Sequence, residues 1–140
     1  GSAAVSDLVA MHDEARYAYE VLAARAEPDS DAREGWLARR DIQSARAEAL
    51  ATVPGVEDRR QAVYVIAGAD VAEAPDRVAF AVALESRIGA TYAELAVGAA
   101  RTDVPWLLNA AFDAYAQASA WGEPGADSYS APALPGLAVD

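Results

Sequence analysis

"VPGVEDRRQAVYVIAGADVAEA", residues 53 to 74, joins two stretches that read as helices and is far too long to be a turn. At ~3.3 Å per residue it can reach ~70 Å, more than twice the ~30 Å of a 20-residue helix. It therefore has the length to cross a helical bundle from end to end. Its second half, "QAVYVIAGADV", is apolar enough to lie against such a bundle rather than stand in water. The other two connections, "EPDS" at 27 to 30 and "RTD" at 101 to 103, are tight turns and imply antiparallel neighbours on either side.

Four helices are expected, at about 6–26, 31–52, 75–100 and 103–121. Ser6 reads as an N-cap, Pro28 follows the first helix, and Pro54-Gly55 stops the second. Pro75 and Pro105 suit first turns, and Asp103 reads as the cap of helix 4. Two antiparallel hairpins joined by one long crossover make the ferritin-like four-helix topology, an all-α fold filling the chain as one domain. An up-and-down bundle with an idle loop is the alternative. The tail after residue 121 contains "SYSAPALPGLAVD", whose prolines forbid a helix and whose Leu134 and Leu137 predict docking.

Composition narrows the function classes. The 140 residues are 54% hydrophobic and 24% charged, as in a folded globular domain. The formal charge of −11 repels phosphate backbones, so nucleic acid and anionic membranes are not expected partners. The absence of cysteine removes disulfides, thiolate catalysis and Cys-type metal sites. No apolar run approaches the ~20 residues of a membrane span, and no signal-peptide pattern opens the chain. Gly1-Ser2 reads as a cloning scar, and the cytoplasm is the expected compartment.

"ALESRIGATYAEL", 83 to 95, holds the clearest anomaly. Turning ~100° per residue, helix 3 presents an apolar arc of Ala81, Val82, Leu84, Ile88, Tyr92, Leu95 and Ala96, with Glu85 near its centre. A buried carboxylate without a partner costs several kcal/mol or takes up a proton. Arg40, Arg39 and Arg16 on neighbouring helices are the candidate partners, Arg40 first, with Tyr92 and Tyr19 completing a buried polar network. The other readings of Glu85 are a metal ligand and a catalytic base. Elsewhere, helix 1 is expected to bury Leu8, Met11, Ala15, Ala18 and Leu22, with Tyr19 and His12 at the edge of that stripe and Asp13 and Glu20 in water. Tyr17 and Val21 point away from the stripe, toward the tail or a second subunit. Helix 2 is the least regular: one stripe runs Trp36, Gln43, Ala47 and Leu50, bordered by Arg39 and Arg40, and a second runs Ala38, Ile42, Ala45 and Ala49, with Asp41 beside it. Helix 4 is expected to bury Leu107, Leu108, Ala111, Phe112, Tyr115 and Ala118, with Asp113 opposite.

A carboxylate-bridged di-metal site needs inward glutamates on two helices and Glu-x-x-His on the other two. The inward set here is Glu85, with His12 and Glu14 as marginal additions, which is too few. Phosphate-binding glycine loops, nucleophile elbows and paired acid–base carboxylates are also missing.

"YAYEVLAAR" at 17–25, "ARRD" at 38–41, "ALESRIGATY" at 83–92, Trp121 and the "PGL" of 135–137 resemble the actinobacterial ferritin-like domains of unknown function. The likeness covers nearly the whole chain, in order, and implies a ferritin-like bundle with no established activity. In the family pattern a Glu-His pair and a second histidine stand where this chain has His12-Asp13 and Trp36, which weakens a metal role. The expected protein is thus a structural or protein-interaction module with no cofactor and no catalytic residue, as a homodimer or with another protein partner. Two further hypotheses stand beside it. One is an atypical iron- or manganese-handling oxidoreductase using Glu85, His12 and Glu14. The other is a binder of a small molecule between Tyr19, Tyr92 and Tyr115.

Overall fold

The computed structural model describes residues 1–66 and 71–123. It is all-helical: α1 (Ser2–Arg25), α2 (Asp31–Ala51), α3 (Ala74–Val97) and α4 (Val104–Gly122), with no strand among the described residues. The chain divides into two compact units, Gly1–Asp70 and Val71–Asp140, each built on one helical hairpin. The expected docking of the tail falls on 124–140, outside the described residues.

In the first unit α1 and α2 are antiparallel. His12 meets Gln43 and Tyr19 stacks on Trp36, so a seven-residue step along α1 retraces seven along α2. The buried residues of α2 include Trp36, Arg39, Gln43, Arg46 and Leu50, spaced alternately three and four apart. That spacing keeps one seam of a helix facing its neighbour. Arg39 is therefore within the seam rather than at its border. The core of α1 likewise centres on His12 and Tyr19, both fully buried, while Met11 is only half-buried.

Helix ends follow local chemistry, with one correction. Ser30 caps α2, its Oγ accepting the Arg33 N–H at 3.1 Å, and Asp29 before it takes a left-handed φ of 62°. Ser6, expected as the cap of the first helix, lies inside it. Its Oγ donates to the Ser2 carbonyl at 2.8 Å and accepts the Glu57 N–H at 2.8 Å. A hydroxyl that bonds back four residues fits a helix interior, so α1 starts earlier. Asp103 holds the N-cap position of α4 but makes no side-chain cap bond; it accepts the Trp106 indole N–H at 3.3 Å.

The segment after α2 lies along α1. Gly55, at φ 82°, turns the chain beside Ser2. Glu57 then bonds Ser6, Arg59 pairs with Asp7, Gln61 bonds Asp13, and Tyr64 packs on Tyr17 with ring centroids 6.1 Å apart. Residues 55 to 64 thus run parallel to α1 from Ser2 to Tyr17, ~22 Å of helix. This segment covers the outward-pointing Tyr17.

In the second unit α3 and α4 are antiparallel. The Tyr115 ring lies on Gly89, where a Cβ would meet it at 2.9 Å, and Gly122 lies beside Val82. Tyr92 and Trp106 meet edge to face at 6.0 Å. The inward face of α4 is in part the one expected, since Leu107, Ala111 and Ala118 are buried, but its three other expected core residues face out. Leu107, Ala110, Ala111, Asp113, Ala114, Gln117, Ala118 and Trp121 are buried, whereas Leu108, Phe112 and Tyr115 are exposed. Alanines at the contact let two helices approach closely, and this face also carries the fully buried Trp121. Asp113 therefore faces inward, opposite to expectation.

Candidate functional site

The first unit buries an unusual polar set in its helical seam: His12, Arg39, Gln43 and Arg46. His12 Nδ1 lies 2.6 Å from Gln43 Oε1. If the imidazole proton sits on Nδ1, it donates to that amide oxygen, and this is the arrangement the acceptor favours. Burial pushes the His12 pKa down, the Arg46 charge pushes it further, and Arg39 adds to this. The bond to Gln43 opposes them, and the net is a fall from 6.5 to about 3. His12 is accordingly a neutral imidazole beside two guanidinium groups.

The second unit buries carboxylates instead. Glu85, on α3, is completely buried, as the apolar arc around it predicts, and Asp113 on α4 is nearly so. Arg77, also buried, donates to the carbonyls of Val71 and Ala72 at 3.0 and 2.9 Å and so closes the start of α3. Tyr92 is fully buried. Glu85, Asp113, Arg39, Arg46 and His12 all have interaction partners.

Two members of the expected network lie elsewhere. Arg40 has a side chain 33% exposed and bonds the neighbouring Asp41 at 2.8 Å, because it follows Arg39 and so points ~100° away from the seam. Arg16 sits under the 55–64 segment, bonding Asp13 Oδ1 at 2.9 Å, Glu20 at 2.8 Å and the Gln61 carbonyl at 3.1 Å. Arg46, absent from the expected set, takes the interior place. Its signal was available in the three-and-four spacing of Trp36, Arg39, Gln43, Arg46 and Leu50.

Asp13, expected in water, is the hub of the second polar cluster. Its Oδ2 accepts the Gln61 N–H at 2.9 Å and the Tyr64 hydroxyl at 2.6 Å, while Oδ1 accepts from Arg16. Burial alone would raise its pKa, but the bonds from Arg16, Tyr64 and Gln61 outweigh burial and hold it below the ordinary range. Burial and the same hydrogen bond push the Tyr64 phenol up to about 12. Helix periodicity did place Asp13 away from the seam; what it could not give was the segment that covers that face. Asp13→Ala is expected to cost about 2 kcal/mol by urea unfolding at pH 7, the range for hydrogen bonds to a charged group. Because the folded carboxylate has the lower pKa, that contribution is present at neutral pH. It shrinks as pH falls through the carboxylate range, so wild type and variant should converge in acid.

Among the described residues no group of three His, Cys, Asp or Glu side chains could hold an ion. Glu14 is exposed. Arg39 and Arg46 lower the His12 pKa by their charge, and the same positive charge opposes a divalent cation at this imidazole. Tyr115, proposed to line a cavity, lies at the surface on Gly89. No described helix is long and apolar enough to cross a membrane. No protein-family model, curated protein or solved structure matches the chain.

Proposed function

We propose that this chain is a ferritin-like four-helix bundle that serves as a structural or protein-interaction module, its interior balanced by arginine–carboxylate pairs instead of metal. The observation that carries the reading is the sign of the buried charge. Apart from Asp13, which Arg16 bonds, and Arg77, which bonds backbone carbonyls, the α1–α2 hairpin buries Arg39 and Arg46 and the α3–α4 hairpin buries Glu85 and Asp113. Charges of either sign are costly to bury unless opposed by the other, and arginine forks match carboxylates in paired hydrogen bonds. Each buried charge calls for an opposite partner, and Arg40, part-exposed on Asp41, is not the arginine that the burial of Glu85 requires. The path of residues 55–64, leading back along α1, supports a crossover rather than an idle loop. The likeness to the actinobacterial ferritin-like domains supports the same topology.

A ligand that binds only the folded state raises the unfolding midpoint, and its removal lowers it. The midpoint is therefore expected to stay unchanged when EDTA is added, and unchanged again with Fe(II) or Mn(II) in excess. A drop in EDTA that Mn(II) restores would favour the iron- or manganese-handling reading over this one.

A further inference from the structure

α4 carries an apolar stripe on its outer side. Leu108 is 36% exposed, Phe112 65% and Tyr115 43%, spaced four and three apart on one helical face. Val97, at the end of α3, is 90% exposed. The antiparallel register that sets Gly89 on Tyr115 brings Val97, two turns further along α3, toward the Leu108 end of this stripe. We propose that this stripe docks on the same stripe of a second copy of the chain, α4 against α4. The proposal names a partner for the interaction module proposed above and rests on that reading.

Charge selects the occupant. Across Val104–Gly122 the only acidic or basic residue is Asp113, and it is buried. The outer side of α4 thus carries no charge in a chain whose formal charge is −11. A charged partner finds nothing there to pair with. A second copy meets like charge over most other surfaces, but not on this one. The pattern is also self-complementary, as a two-fold interface requires. A two-fold axis beside Phe112, the most exposed of the three, sets Phe112 against its equivalent and Leu108 against Tyr115 of the second copy. Arg101 of one copy then falls at the Glu123 end of the other, eleven residues from the centre on either side, while Asp103 opposes this. One helix face ~28 Å long and ~10 Å wide is small for a specific interface, so the dimer should dissociate at micromolar chain concentrations.

The absence of cysteine makes the test direct. A lone cysteine in Phe112→Cys would stand beside the two-fold axis, facing its equivalent at high effective concentration. Oxidation should link it at least ~10-fold faster than the exposed control Asp31→Cys. Sedimentation of the wild-type chain should show monomer passing to dimer over ~1–100 µM, and Phe112→Glu should remain a monomer with an unchanged helical spectrum and unfolding midpoint. A wild-type monomer throughout would overturn the proposal and leave the arginine–carboxylate core untouched. So would a dimer that Phe112→Glu leaves intact, with equal linking rates at the two cysteines. Residues 124–140 of the same chain are the competing occupant. A monomer in which the Phe112→Cys thiol reacts slowly until those residues are removed would assign the stripe to them and overturn the proposal as well.

Discussion

Glu85→Leu is expected to destabilise the chain by about 3–5 kcal/mol, and adding Arg39→Met should recover much of the loss. The motive is the complete burial of both side chains. Removing one partner of a buried ion pair leaves the other charge in low dielectric, which costs far more than the pair itself contributes. Removing both leaves two packed apolar groups and little penalty. Arg46→Met in the same background tests the second buried arginine. Arg40 provides the surface comparison, since its bond to Asp41 is half in water and should be worth ~1 kcal/mol or less. Urea unfolding of the singles and doubles measures the coupling. Simple additivity with both Arg39 and Arg46 would sink the paired reading.

The second large effect is a pH dependence centred on one residue. His12 is the chain's only histidine, and in the folded state its pKa is lowered from 6.5 to about 3. Below pH 6.5 the unfolded chain takes up a proton that the folded chain refuses. The contribution is therefore complete above pH 6.5 and is lost progressively as pH falls toward 3. At ~1.4 kcal/mol per unit, stability should drop by about 2 kcal/mol between pH 7.5 and 5, above the range where carboxylates titrate. His12→Asn keeps an N–H near the position of Nδ1 and does not titrate, so its stability should be nearly flat over that interval. Equal slopes for the two proteins would show that His12 is open to protonation and solvent.

How much of this was legible from the sequence depends on how clearly each helix separates its faces. Around Glu85 the apolar arc of α3 is continuous, so the buried carboxylate could be read directly. In α4 nearly every side chain is apolar, so periodicity could not choose a face. Size then suggested the wrong one, because Leu108, Phe112 and Tyr115 are larger than the alanines that let α4 approach α3. In α2 the interior residues include Arg39, Gln43 and Arg46, and a reading that sorts by hydrophobicity assigns arginine to the border. Asp13 and Ser6 failed for another reason. Their partners Glu57, Gln61 and Tyr64 are ~50 residues away, on a segment whose length was evident but whose path no helical period encodes.

The central claim is that the buried carboxylates are held without a metal ion. It is tested most directly by loading the purified chain with excess Fe(II) and, separately, Mn(II), dialysing, and measuring metal per chain in wild type and Glu85→Gln. The account predicts far less than one ion per chain in both proteins, with no ferroxidase activity. One ion per wild-type chain that survives dialysis and is lost in Glu85→Gln would contradict it.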